Sequence, residues 1–226
     1  HEGVARPVGE ERTMNAAREA SHPILTCDEA RSFEREWFAG DEAREWPAMQ
    51  RAGRALAAAV LRDFEEIGGF PAQGRVLVLA GKGHNGGDAL LAARAILGKF
   101  PSAQAEVVFV FGERALRPLA MRAWRELVQA APGRVSGSAG VPPAISPAAG
   151  VTPALLGYDL CLDGVFGFQF RPPVPASVAA LFAQVAAWPI RLRAAVDLPS
   201  GLGEASQTDD PIFRADFTYA TGIVKA

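Results

Sequence analysis

The segment GKGHNGGDA (81–89) sets Asn85 and Asp88 among four glycines, and two further carboxylates, Asp163 and Asp197, close the apolar runs YDLCLD and RLRAAVD. An amide carbonyl and carboxylates are the oxygen donors that a hard cation takes. A carboxyl group can also give up and retrieve a proton while a bond breaks and reforms. Each residue has a structural alternative: helix capping for Asn85 and Asp88, turn formation for Asp163 and Asp197. A position at the end of a strand favours a ligand role, and three carboxylates so placed are harder to explain by turns alone.

Gly81, Gly83 and Gly86 also satisfy the GxGxxG spacing, and Glu113 follows at about the distance of a ribose-binding acid. Taken alone, that pattern reads equally as a dinucleotide loop or a tight structural turn. Asn85 and Asp88 are polar where the dinucleotide fingerprint needs only close backbone approach. His84, the one histidine well inside the chain, reads as a contact residue and not as a catalyst. Cys161, between Leu160 and Leu162, reads as core packing. The run FGFQF (166–170) is either an apolar wall for a ring or part of the core.

These residues need a scaffold. Thr26 and Glu29 have the spacing of a capping box, which predicts a helix over LTCDEARSFEREWF. A second helix is expected from Pro47, with Met49, Gly53, Leu56 and Val60 on one face. RVLVLA, AEVVFVFGE, YDLCLDGVFG and RLRAAVD read as buried strands, and ADFTYATGIVKA as one more. Helices are expected after the glycine loop, over RALRPLAMRAWRELVQ and over PASVAALFAQVAAW, whereas residues 132–154 read as an irregular connection. Alternating strands and helices predict a three-layer α/β/α Rossmann-like domain with a mostly parallel sheet and two extra N-terminal helices. Ligands of such folds sit beyond the carboxyl ends of the strands, where the loops carrying Asp88, Asp163 and Asp197 lie.

The chain has 226 residues, of which 49% are hydrophobic, enough for one sizeable core. One domain is expected over 24–226, with 1–23 as a disordered arm or an expression remnant. A net charge of −2 gives no polycationic face for nucleic acid or an anionic membrane. The two cysteines, Cys27 and Cys161, are too few for a disulfide scaffold. No apolar run has the roughly 18 to 20 residues that a membrane span needs, so a cytoplasmic protein is expected.

Five stretches in order, PAMQRAGRALA (47–57), GKGHNGGDALLAAR (81–94), DLCLDGVFGFQFRPPV (159–174), VDLPSG (196–201) and ADFTYATGIVKA (215–226), resemble the NAD(P)H-hydrate epimerases, the YjeF N-terminal domain family. The resemblance runs from about Thr26 to the end. It implies epimerisation of hydrated NADH or NADPH (NADHX, NADPHX) at C6 of the nicotinamide ring, with a potassium ion in the site. It further implies that His84, Asn85, Gly86, Gly87, Asp88, the run Gly167, Phe168, Gln169, Phe170, Arg171, Pro172 and Pro173, and Asp197 contact substrate. Asn85, Asp163 and Ser200 would hold the ion and Asp197 would be the acid and base, while Lys225 reads either as a phosphate contact or as a solvated terminal lysine. A homodimer and a dehydratase domain or protein acting on the product are also expected from it. The sequence departs from the family pattern where His84 replaces an asparagine, where Ala89 replaces a glycine, and in a short stretch after PSG.

Two other functions compete: a non-catalytic nucleotide-binding or interaction module of the same fold, and an NAD-dependent oxidoreductase with Glu113 on the ribose. Neither accounts for Asn85, Asp88, Asp163, Asp197 and Ser200 together, and no hydride-transfer site is evident.

Overall fold

A computed structural model describes residues 24–139, 157–203, 206–207, 209–221 and 224–225. The expected arm, 1–23, lies outside them. Short apolar segments form the central strands because both faces of each are covered. Thus β2 (Arg75–Ala80) is buried from Val76 onward, and β5 (Tyr158–Gly164) is buried at every residue but Asp159. With β3 (Gln104–Phe109), β4 (Val135–Ala139), β6 (Ile190–Val196) and β7 (Phe217–Tyr219) they make a six-stranded sheet in the order β4-β3-β2-β5-β6-β7, every pair parallel. The chain runs outward from β2 to β4, then returns across β2 to start β5. This reversal opens a crevice at the carboxyl ends of β2 and β5.

Helices cover both faces. On one, α2 (Glu42–Glu65), α3 (His84–Lys99) and α4 (Pro118–Ala130) bury Leu56, Phe64, Ile96 and Leu127 against Val78 and Val107. On the other, α5 (Ala176–Ala186) packs Val178 and Val185 against Leu77 and Leu79. Ahead of them stands α1 (Cys27–Phe38) with the expected capping box: Glu29 N donates to Thr26 Oγ1 at 3.3 Å and Thr26 N to Glu29 Oε2 at 2.8 Å.

Four boundaries differ from expectation. Helix α2 begins at Glu42, not Pro47, because Asp41 caps it by accepting from Ala43 N at 2.9 Å. Pro47 then lies within the helix, where its missing N–H deprives only one carbonyl. The expected packing face is kept; a Cβ on Gly53 would come 2.5 Å from Leu91 Cβ, so α2 lies tightly on α3. Helix α4 begins at Pro118, its first position, and Glu113–Ala115 forms a separate 3-10 turn. The segment 132–154 contains β4, whose small residues VSGSA carry no strand periodicity and are recruited by pairing with β3; the part from 140 on lies outside the described residues. The tail makes two strands: β7 joins the sheet, whereas β8 (Val224–Lys225) pairs in parallel with β1 (Ile24–Leu25).

Candidate active site

The glycine loop is shaped by close packing. A Cβ on Gly81 would run into the carbonyl oxygen of Val165, and one on Gly86 into that of Gly81. On Gly164 it would meet Ala89 Cβ and the Asn85 carbonyl oxygen, each at 2.7 Å. The first turn of α3 is thereby pressed onto the ends of β2 and β5, and Gly81 N donates to Gly164 O at 3.0 Å across them. Gly83 is the N-cap and no side chain caps the helix. Asn85 and Asp88 are therefore not caps. Instead Asn85 Nδ2 donates across the crevice to Phe166 O at 2.7 Å.

That carbonyl belongs to a hydrogen-bonded cluster. Asp163, fully buried at the end of β5, accepts from Ser200 Oγ at 2.6 Å (Oδ1), from Ser200 N at 2.8 Å (Oδ2) and from Val165 N at 3.3 Å. Ser200 Oγ also accepts from Phe166 N at 2.8 Å and lies 3.2 Å from Phe166 O. Burial pushes the Asp163 carboxyl up to about 6, against the opposing pull of the bonds from Ser200 and Val165. Asn85, Asp163 and Ser200, which sequence reasoning grouped, thus meet through Phe166, a residue it had assigned to the apolar run alone. Among the described residues no cluster of three His, Cys, Asp or Glu side chains gathers.

Asp197 ends β6 with φ 70, a left-handed conformation uncommon outside glycine. Its N donates to Tyr219 O at 2.8 Å, and Leu198 N donates to Val196 O at 2.9 Å, closing a γ-turn about it. Its Oδ2 accepts from Phe168 N at 3.2 Å. A Cβ on Gly167 would lie 3.4 Å from both Asn85 Oδ1 and Asp197 Oδ2, so the two oxygens converge beside Gly167.

Above them opens a cavity of about 900 Å3. It is bordered by all the expected substrate residues except Gly86, Gly87 and Pro172: His84, Asn85, Asp88, Gly167, Phe168, Gln169, Phe170, Arg171, Pro173 and Asp197. Gly86 and Gly87 lie behind, buried in α3; a Cβ on Gly87 would come 2.9 Å from Met49 Sδ. Phe166 stacks on Phe170 at 4.4 Å and approaches Phe111 at 5.9 Å, which makes the aromatic run a wall. Lys82 Nζ sits 4.6 Å from the centre of the Phe111 ring. His84 reaches Glu45 Oε2 at 3.1 Å on α2.

Sequence reasoning missed the wall built by α1 and α2, among them Arg31, Arg35, Glu45 and Met49, and also Lys82 and Arg117. Only the capping box and the excess of arginine hinted that α1 was ordered and charged. Glu113, the ribose-acid candidate, instead accepts from Trp124 Nε1 at 3.1 Å and does not border the cavity. Cys161 is a buried thiol in the core, as expected. Lys225 lies in β8, and its side chain is outside the described residues. No helix among the described residues is long and apolar enough to cross a membrane.

The bifunctional NAD(P)H-hydrate repair enzyme Nnr of Gloeobacter violaceus is 41% identical over 182 residues, which cover 78% of this chain and 31% of that protein. The NAD(P)H-hydrate epimerase of Bordetella pertussis is 37% identical over 158 residues, 70% of this chain and 59% of that one. A protein of the same name from Rhodopirellula baltica is 28% identical over 90% of this chain and 76% of its own. The chain therefore spans less than two thirds of the first two relatives. The crystal structure of yeast ynu0 shares the fold, with a TM-score of 0.59 and 23% identity over 83% of this chain and 76% of that one. The family described as YjeF-related protein N-terminus matches residues 47–226, from within α2 through both halves of the sheet and all three site-bearing strand ends. To that family this chain belongs.

Proposed function

We propose that the cavity holds hydrated NADH or NADPH and that the chain interconverts their R and S forms at C6 of the nicotinamide ring. The observation that carries this is Asp197, a buried carboxylate held at a strained turn in the cavity wall, 3.2 Å from the Phe168 amide. Strain of about 1–3 kcal/mol at such a residue persists where the fold enforces it, often because function needs the placement. The names of the relatives, NAD(P)H-hydrate epimerase and repair enzyme, point to the same substrate.

In this reading the Asp197 carboxyl gives a proton to the C6 hydroxyl as the C–O bond breaks, while the ring nitrogen's lone pair fills the vacancy at C6. Water adds to the opposite face, and its proton returns to the carboxylate. The Phe168 amide keeps the carboxylate turned toward the reacting carbon, and the Phe166–Phe170 stack offers the ring an apolar face. Asn85 and Asp88 orient the substrate amide and ribose.

Asn85, Asp163 and Ser200, with the Phe166 carbonyl, offer oxygen donors and a single carboxylate, which fits a potassium ion. Bound there, the ion would compensate the buried charge and help position substrate. We also read residues 24–226 as one domain, the setting as cytoplasmic, the assembly as a homodimer, and the product as passing to a dehydratase domain or protein.

The test supplies R-NADPHX to purified protein, with and without potassium, and follows the S form by chromatography. Asp197→Asn keeps an acceptor for Phe168 N and tolerates a positive φ, so it should stay folded. Its rate should fall by roughly 10²- to 10⁴-fold. A folded wild type no faster than the spontaneous reaction overturns the reading; tight binding without turnover would then favour the binding-module alternative.

A further inference from the structure

We propose that Arg31, on α1, grips a phosphate oxygen of the bound dinucleotide, making α1 part of the substrate site. The inference rests on the dinucleotide reading above. Helix α1 precedes the family's matched segment, which begins at residue 47.

Arg31 carries an unmet donor. Arg31 borders the cavity and is only partly exposed. Its Nη1 donates to Asp28 Oδ1 at 2.7 Å, but its Nη2 is buried and has no hydrogen-bond partner among the described residues. A guanidinium has five N–H donors in a fixed fork. A buried donor left unmet costs free energy that an acceptor recovers.

The surrounding charge says what that acceptor is. Arg171, on the opposite wall, reaches the same Asp28 Oδ1 at 4.0 Å. One carboxylate, Asp28, therefore faces two guanidinium groups, while Glu34 on α1 also borders the cavity. Arg35, one turn along α1, adds another cation to the cavity lining. A planar guanidinium fork held at one end by a carboxylate suits a phosphate. The Asp28 bridge ties α1 to the 167–173 loop, so the same anion would hold both walls together.

Two phosphates of the substrate share this chemistry: the pyrophosphate, common to NADHX and NADPHX, and the 2′-phosphate, found only on NADPHX. Arg31→Gln keeps much of the side chain's bulk and removes the charge. We expect KM to rise roughly tenfold with kcat unchanged, since a contact made equally in ground and transition states affects binding alone. A rise for both substrates identifies the pyrophosphate, and a rise for NADPHX alone identifies the 2′-phosphate. Arg31→Lys, which keeps a charge without the fork, should recover part of the loss. Arg62→Gln, which removes an exposed charge paired to Asp63 outside the cavity, should leave KM unchanged.

Calorimetric titration of NADP+ into the same variants separates the two claims. Wild type that binds NADP+ without turning over NADPHX overturns the epimerase reading, while a tenfold weaker NADP+ affinity in Arg31→Gln still upholds the phosphate contact. Wild type that turns over NADPHX, with Arg31→Gln folded and unchanged in KM, overturns the contact and leaves the epimerase reading standing. Wild type that neither binds nor reacts overturns both.

Discussion

Ser200 meets Asp163 with two donors, its hydroxyl at 2.6 Å and its backbone amide at 2.8 Å, although Asp163 lies at the end of β5 and Ser200 in the turn after β6. The hydroxyl is also the acceptor for Phe166 N, so one side chain joins the ends of β5 and β6 beneath the cavity. Ser200→Ala leaves the buried Asp163 and the partly buried Phe166 amide each short of a partner. We expect a loss of about 1–3 kcal/mol in urea unfolding, where an exposed serine would give almost none.

Burial holds the Asp163 carboxyl at about 6, above its ordinary 3.8. The folded chain therefore binds this proton more tightly than the unfolded chain. The resulting stabilisation is fully present below about pH 4 and is lost as pH rises through about 6, on the order of 3 kcal/mol across the window. Urea midpoints measured from pH 4 to 8 should contain this downward component in wild type and lack it in Asp163→Asn. Potassium at constant ionic strength should offset it above pH 6 by favouring the carboxylate. An identical pH dependence in the two proteins would refute the assignment.

Two glycines of one loop should behave in opposite ways. A methyl group at Gly86 collides with the backbone of Gly81, whereas at Gly83 the nearest atom is Arg117 Nη1 at 3.9 Å. Gly86→Ala should cost about 3 kcal/mol or prevent soluble expression. Gly83→Ala, at an N-cap without a side-chain bond, should cost under about 1 kcal/mol. Thermal melts of the pair check this directly, and equal losses would mean that the loop is not packed as described.

His84 and Glu45 make an exposed contact at the cavity rim. Such pairs add little to stability, so His84→Asn should shift unfolding by less than about 0.5 kcal/mol. The same variant brings in the residue usual in the family. A larger loss of stability would assign the histidine a structural role that its exposure does not suggest.

What the sequence by itself determined was local. Buried strands such as RVLVLA and YDLCLDG declare themselves because apolar runs between turns need no partner's identity to be recognised, and Thr26 and Glu29 specify a cap within four residues. The loops carrying Asn85, Asp88, Asp163 and Asp197 could be placed at strand ends for the same reason. Tertiary structure decided the rest. It drew VSGSA into the sheet through pairing with β3 and sent the last strand to β1, at the other end of the described chain. It buried Asp163 under Ser200 while leaving Asp197 in the cavity wall, although both carboxylates end apolar strands. It also brought α1 over the crevice, which turned Arg31 from a helical surface residue into part of the lining. These outcomes depend on register and on packing between segments far apart in the chain, where each pairing is stabilised only by the elements it meets and no local period records which those will be.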